Sequence, residues 1–480
     1  MSLLVFLKVE VLNMSKKFQQ LLLIFVIGAV IWFIPAPAGV KPAAWHLFAI
    51  FVATIVGFIM HPLPIGAIAL IAAALSGFLK VLKPAEALKG YGDATIWLIV
   101  SAYLFALGFV KTGLGKRIAY NIMAAIGDSS LKLGYAMALS DLVVSPATPS
   151  NTARAGGILF PIVKSLAVAF KSEPGDTARK IGSYLMKSTF QVNCITSSMF
   201  ITAVAPNALA VSLAAKATGV EISWAQWAVA CIVPGLICVM MAPYIVYKLY
   251  PPEIKHTPEA KEIANKELKA MGPMNKGEKI VLFVFIMALL LWATAKFTGL
   301  NATMIAMVGV GIMLVGGAIE WEDVITQKGA WDTLVWMGTL MALASGLNKL
   351  GLIKWFANMV AGALSGYSWM AALGILIVIY MWSHYAFASL SAHVAAMFQA
   401  FVAVAVGAGA PPFLAIMSLA CLTGLQGGIT HYATGPAPIY FGAGYVSQND
   451  WWKIGFILSV INVAVFIFVG GAWWKVLGYW

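Results

Sequence analysis

Charge is what this chain has least of. Asp, Glu, Lys and Arg make up 10% of its 480 residues, where a soluble domain carries about 25%. So few charges could not cover the surface of two or three water-soluble domains, the ordinary expectation for this length. Acidic residues are the scarcer sign, 18 against 31 basic, for a net charge of +13. The excess is not a nucleic-acid footprint, because the Lys and Arg sit between apolar runs rather than in one patch. Cysteine is also rare. Cys194, Cys231, Cys238 and Cys421 all lie in apolar segments without CxxC or Cys/His spacing, which argues against a disulfide framework or a zinc site. The chain has no HExxH, no GxSxG and no Walker or Rossmann glycine pattern, so neither a cofactor nor a resident metal is expected.

Apolar residues are plentiful, at 61%. They fall in runs of the length a bilayer-spanning helix needs, about 20 residues, and do not alternate with the period of barrel strands. Such runs lie near 19–36, 45–60, 64–80, 94–111, 182–205, 224–247, 279–297, 302–319, 331–347, 411–428 and 453–474. Two further apolar pairs, 130–168 and 368–407, are each interrupted by small polar residues. The expected fold is an all-α polytopic membrane protein of about 11 transmembrane helices plus two re-entrant hairpins, embedded in the cell's inner (plasma) membrane. Lys8, Lys16 and Lys17 put the N-terminus in the cytoplasm, and the lysine-rich stretch 248–279 then also falls inside. A signal peptide ending near Ala36-Pro37-Ala38 is the competing reading of the first run.

The chain resembles itself. Gly108, Lys111, Gly113, Leu114, Lys116 and Ala119 recur as Gly346, Lys349, Gly351, Leu352, Lys354 and Ala357 at a constant offset of 238. Ser150-Asn151-Thr152-Ala153-Arg154 aligns with Ser389-Leu390-Ser391-Ala392-His393 at 239, and the Pro206 segment with the Pro436 segment at 230. An N-terminal helix followed by two halves of five crossings and one hairpin makes the halves inverted repeats.

Backbone that is not helical survives in a bilayer only where it is buried in protein or lines a cavity. Pro146-Ala-Thr-Pro149-Ser150-Asn151-Thr152 cannot be continuous helix, since Pro149 disfavours a helical Thr148 and Ser, Asn and Thr favour N-caps. It reads as a hairpin tip with a new helix starting at Asn151, and Ala388-Ser389-Leu390-Ser391 as its counterpart. Pro206, with Asn207, breaks the fifth crossing; Gly435 and Pro436, after Thr434, break the tenth. Two helix N-termini meeting near the midplane suit a ligand with two anionic ends. Arg154 and His393 lie one turn beyond the tips. An intramembrane Arg requires an anionic partner, so Arg154 either meets the ligand or snorkels to the interface. His393 and His431 are either ligand contacts or packing histidines. Gly90-Tyr91-Gly92-Asp93 matches a motif of intramembrane aspartyl proteases, a remote alternative, with no second membrane aspartate in a matching context.

Pro149-Ser-Asn-Thr-Ala-Arg-Ala-Gly-Gly-Ile-Leu-Phe-Pro161 and Gly427-Gly-Ile-Thr-His-Tyr-Ala-Thr-Gly-Pro-Ala-Pro-Ile-Tyr-Phe-Gly-Ala-Gly444 resemble the divalent anion/sodium symporter family, and most closely its 2-oxoglutarate/malate and citrate/tartrate translocators. The resemblance implies a homodimeric elevator-type transporter, not an enzyme, exchanging dicarboxylates and tricarboxylates such as 2-oxoglutarate, malate, succinate and citrate. It implies scaffold parts at 1–127 and 251–366, the latter including a cytoplasmic linker, and transport parts at 128–250 and 367–480. Sodium-coupled members read Ser-Asn-Thr at each tip, where sodium and a carboxylate are held. Ser150, Asn151 and Thr152 match and keep open a residual sodium site near Ser150 and Asn151; Leu390 interrupts Ser389-Leu390-Ser391 and offers no oxygen. Sodium-independent antiport is therefore expected, with a sodium-coupled dicarboxylate symporter as the alternative. Arg154 and His393 would stand in for sodium, and the buried, unpaired charge of an empty carrier would favour obligatory exchange.

Overall fold

A computed structural model of the protein describes residues 16–363 and 368–480; Lys8 and the expected boundary at 366–367 lie outside them. The described residues contain no strand, only a single bridge between Ser129 and His256. The longer helices run α1 (Lys16–Phe33), α2 (Pro42–Met60), α3 (Ile65–Phe78), α4 (Ala94–Thr112), α5 (Leu114–Ile126), α6 (Ser130–Val144), α7 (Thr152–Ala169), α8 (Gly182–Met199), α9 (Ala205–Thr218) and α10 (Trp224–Leu249). They continue as α11 (Pro258–Met271), α12 (Lys276–Ala293), α13 (Ala302–Gly316), α14 (Lys328–Lys349), α15 (Leu352–Ala363), α16 (Trp369–Trp382), α17 (Leu390–Gly407), α18 (Pro412–Ala420), α19 (Ala437–Gly442) and α20 (Gln448–Val476). Among the described residues eight helices are long and apolar enough to cross a bilayer, with shorter apolar ones at α3, α13 and Pro412–Gly428. Large apolar side chains lie open on the outside, Phe33 at 83% and Val315 at 93% exposure. Lipid is the solvent that makes such a surface stable.

Starts and stops of these helices follow local chemistry. Asp93 accepts from the Thr95 N–H at 2.9 Å to cap α4, Asn301 does the same for α13 from Thr303, and Ser223 and Asn275 form capping boxes with Gln226 and Glu278. These side chains satisfy donors that a helix N-terminus leaves free. α4 ends at Gly113, with φ +85°, a backbone that glycine adopts without a Cβ penalty. The lysine-rich stretch contains the largely exposed, amphipathic α11.

Among the helices of 18 residues or more, the least apolar is the most buried. Every residue of α8 is buried although it carries Lys187, Gln191, Asn193 and a run of Ser and Thr. Several are used inside: Lys187 Nζ donates to the Trp451 carbonyl at 2.9 Å, and the Gln191 amide to the Gly428 carbonyl at 2.8 Å. Lipid favours apolar faces outward, so hydrogen-bonding helices gather at the centre. α6, α7, α10, α19, α20 and the Leu422–Leu425 turn pack against α8, and Arg117 on α5 meets the buried Glu278 carboxylate at 2.6 Å.

The Gly-Tyr-Gly-Asp segment is an elbow between α3 and α4. Gly90 presses against the Gly338 carbonyl of α14 so closely that a Cβ would overlap it, and the Tyr91 hydroxyl shares a hydrogen bond of 2.9 Å with Thr339. Asp93 serves as the cap of α4. Around Gly92 there is open space. Gly90→Ala should therefore destabilise the protein by about 1–3 kcal/mol, read as a lowered midpoint of thermal unfolding in detergent, while Gly92→Ala leaves that midpoint nearly unchanged. Equal midpoints for the two variants would refute the packing role given to Gly90.

Candidate substrate site

Two hairpins, α6–α7 and α16–α17, bring their tips together at one cavity. At the first tip Ser145–Ala147 form a 3-10 turn, Thr148 is extended, and helix resumes at Asn151. At the second, Ser383–Ala386 form the 3-10 turn, Phe387 is extended, and Ser389 caps α17. The first return helix opens with π-helical geometry over Thr152–Leu159, and the second adopts it one turn in, over Val394–Phe398. That irregularity was not legible in the sequence, and it is a common mark of functional segments.

Each tip serine is used in the same way. Ser150 Oγ accepts from the Ala153 N–H at 3.2 Å and Ser389 Oγ from the Ala392 N–H at 3.3 Å. A hydroxyl that accepts from its own helix keeps its proton for an anion. Each tip is fastened to the break in a later helix of its own half. The fifth crossing breaks at Phe200–Val204, ahead of Pro206 rather than at it, because proline is well accommodated in the first turn of α9. There the Ala205 N–H donates to the Pro149 carbonyl at 3.1 Å, and the Thr202 hydroxyl to the Pro146 carbonyl. The tenth crossing breaks between Gly428 and Ala437. Tyr432 donates to the Tyr385 carbonyl at 2.8 Å, and His384 bonds the Ala433 carbonyl at 2.9 Å. The halves are joined where the Asn151 amide donates to the Thr434 hydroxyl at 2.8 Å, and where Gly435 leaves just enough room for Thr152.

The result is a cavity of about 360 Å³. From the hairpins and breaks it is lined by Ser150, Asn151, Thr152, Pro206, Ser389, Leu390, Ser391, Thr434 and Gly435. Facing them are residues that sequence reasoning missed: His61 after α2, Tyr103 on α4, and Asp332, Thr333 and Trp336 on α14. No Lys or Arg lines it. Nothing local marks His61 or Asp332, whose importance arises only when α2 and α14 are brought to the tips.

The remaining expected residues stand behind the cavity wall. Arg154 is wholly buried and turned away from the cavity. Its Nε meets the Asp141 carboxylate at 2.9 Å, Nη1 donates to the Thr148 and Ala203 carbonyls at 2.9 and 3.1 Å, and Nη2 to Ser197 at 2.9 Å. Asp141 also accepts from Asn193 at 3.0 Å and from Thr196. The expectations that Arg154 grips a ligand, snorkels, or stays unpaired in an empty carrier are corrected accordingly. Its partner is an aspartate on the other arm of the same hairpin, because a carboxylate in fixed position compensates a buried guanidinium without leaving the protein. The need for an anionic partner was itself a signal that could have pointed to Asp141. His393 is likewise buried: Nδ1 bonds Gln426 Oε1 at 2.9 Å and Nε2 the Ser383 hydroxyl at 3.1 Å. Gln426 Nε2 donates to the Tyr380 carbonyl at 2.8 Å, which turns Oε1 to His393 and makes Nδ1 the protonated nitrogen. His431 accepts from Trp452 Nε1 at 3.0 Å, Asn207 ties the Ser197 and Phe200 carbonyls together at 2.7 and 2.9 Å, and Pro436 precedes α19; none of the three lines the cavity.

The chain matches the sodium:sulfate symporter transmembrane region over residues 15–480. It belongs to the divalent anion/sodium symporter family. Among its relatives is YflS of Bacillus subtilis, named for malate transport, 51% identical over 465 residues and 97% of each chain. The chloroplastic dicarboxylate transporter 1 of Spinacia oleracea is 45% identical over 96% of this chain and 82% of its own. The citrate/succinate antiporter of Escherichia coli is 39% identical over 96% and 98%. The crystal structure of the YdaH transporter of Alcanivorax borkumensis shares the fold at a TM-score of 0.56 and 12% identity, covering 96% of this chain and 97% of that one. The protein is thus a polytopic membrane transporter of the dicarboxylate and citrate kind.

Removing either member of the Arg154–Asp141 pair should leave a buried charge alone. Arg154→Ala and Asp141→Ala should each cost about 3–5 kcal/mol, and Arg154→Met with Asp141→Leu together should cost less than either single change. Thermal unfolding of the three variants checks this. Single variants with wild-type midpoints would contradict the lock.

Proposed function

We propose that the protein exchanges dicarboxylates and tricarboxylates across the inner membrane, one anion for another, without sodium. The observation that carries the reading is the meeting of two capped hairpin tips in one small cavity. Ser150 and Ser389 hydroxyls and two helix N-termini, each worth about half a positive charge, face the two ends of a dianion there. Asn151, Thr152, Ser391 and Thr434 supply further polar contacts, and Pro206, Leu390 and Gly435 shape the walls. Ligands of this reading are 2-oxoglutarate, malate, succinate and citrate.

Sodium independence is supported by Arg154. A cation near Ser150 and Asn151 would need the carbonyls that the tip and the fifth-helix break leave free. The guanidinium already takes two of them, from Thr148 and Ala203. At the second tip, His393 and Gln426 hold the equivalent place and Leu390 offers no oxygen. Arg154 and His393 therefore act as positioning residues rather than ligand contacts. Because Asp141 neutralises Arg154, the preference for loaded crossings rests instead on the helix N-termini, which a bound dianion neutralises and an empty cavity leaves exposed.

In this reading 128–250 and 367–480 form a transport part carrying both tips and both breaks, and 1–127 with 251–366 form a scaffold that presents His61, Tyr103, Asp332 and Trp336. The transport part slides past the scaffold as an elevator. The functional unit is a homodimer through the scaffold, and the N-terminus is cytoplasmic, in keeping with Lys16 and Lys17 and the lysine-rich α11.

Liposomes loaded with 2-oxoglutarate or malate, with and without external sodium, and empty liposomes test the proposal. Uptake of labelled dicarboxylate should require internal substrate and ignore sodium. Sodium-dependent uptake into empty liposomes would replace exchange by symport, and no uptake in any arm would refute the dicarboxylate assignment. In the same assay Ser389→Ala, which removes one hydrogen bond to a charged group, should raise the half-saturating concentration about tenfold or more. An unchanged value would remove Ser389 from the site.

A further inference from the structure

A second cavity, of about 340 Å³, lies at the seam between α2 and α15 on one side and α17 on the other. Its walls are apolar, a mixture of aliphatic and aromatic side chains, with Trp45 and Phe48 from α2, Trp355 and Phe356 from α15, and Ala396 from α17. Two groups break that pattern from opposite sides. Trp45 Nε1 and Gln399 Nε2 are both buried N–H donors without a hydrogen-bond partner, and Gln399 is only 7% exposed. The neighbouring Trp355 Nε1 is satisfied by the Ala38 carbonyl at 3.1 Å. Buried polar groups are nearly always paired, so two orphan donors lining one cavity point to an acceptor that the protein does not itself supply.

The chemistry of the walls narrows that acceptor. Water suits the place poorly. It needs two to four polar partners, and the two donors would leave its own hydrogens facing apolar walls; the volume also exceeds one water's share of about 30 Å³ many times over. A carboxylate suits it no better, because no charged side chain lines the cavity and an unpaired anion in apolar surroundings is disfavoured. What fits is an uncharged carbonyl oxygen on a long apolar body. In a bilayer the abundant molecule of that description is a glycerolipid.

We propose that this seam cavity binds the acyl chain of a membrane glycerolipid, whose ester carbonyl accepts hydrogen bonds from Trp45 and Gln399. α17 is the return arm of the second hairpin, so the bound chain fills the seam beside the element that carries Ser389 and Ser391. The binding does not rest on the sliding motion proposed above.

The test uses the full chain in liposomes containing a phosphatidylethanolamine with a diazirine on one acyl chain. After photolysis and digestion, adducts should concentrate on peptides spanning 45–56 and 395–400, above the level on the lipid-facing α1 and α3. Gln399→Leu, which keeps the volume and removes the donor, should lower the seam adduct about threefold to tenfold, the range for one neutral hydrogen bond. Ala396→Trp, which fills the space, should abolish it. If Ala396→Trp does not fold, Gln399→Leu and competition by excess unlabelled phosphatidylethanolamine still decide the matter. Adducts spread evenly over the lipid-facing helices, or seam labelling undiminished in Gln399→Leu, would overturn the site. Labelling of the seam by a diazirine fatty acid but not by the phospholipid would overturn the ester-carbonyl assignment.

Discussion

A helix surrounded by lipid can be broken only if something in the protein takes up the peptide groups that the break sets free. In this transporter the most demanding break is handled by one guanidinium. Arg154 reaches back to the Thr148 carbonyl at its own hairpin tip and across to the Ala203 carbonyl in the fifth-helix break, while Asp141 holds it from the other arm. The pair is wholly buried. It adds little net stability over an apolar pairing, and its value lies in the geometry it imposes. The tip, the break and the start of α9 become one rigid body around Ser150.

The second half solves the same problem with weaker chemistry. His393, Gln426, Tyr380 and Ser383 form a neutral hydrogen-bond chain where the first half has an ion pair. His384 and Tyr432 bind the second tip to the tenth-helix break as Thr202 and Ala205 bind the first. The two tips thus share one plan, a hydroxyl capping its own helix and a stitched break beside it, executed with different residues. The burial of α8 belongs to the same logic, since its polar side chains are the stock from which Asp141, Arg154 and Gly428 draw their partners.

The face opposite the tips is of another kind. His61, Tyr103, Asp332 and Trp336 line the cavity from the side of α2, α4 and α14, and among the described residues no side-chain hydrogen bond joins them to the tips. Farther along, α9 is tied to α14, where Lys216 Nζ donates to the Met341 carbonyl at 3.1 Å and the Asn348 amide to the Lys216 carbonyl at 2.7 Å. The seam cavity lies between α2 and α15 on one side and α17 on the other.

Much of this architecture was legible in the residues. Apolar runs located the helices, and Pro149, Ser150, Asn151 and Ser389 announced tips because a cap is a matter of three or four neighbouring residues. The self-similarity of Ser150-Asn151-Thr152 and Ser389-Leu390-Ser391 identified the pair that would meet. Pro206 marked the fifth-helix break to within a few residues, although the break precedes it. The direction of Arg154 was not legible, since a guanidinium one turn beyond a tip can swing toward the ligand, the interface or another helix. Tertiary packing alone decided for Asp141. It alone also brought His61 to the same cavity as Asp332 and left Trp45 and Gln399 without acceptors. Local sequence determines where a chain must bend and what its ends require; which distant side chains then share a space depends on how helices pack, and no short-range rule encodes that.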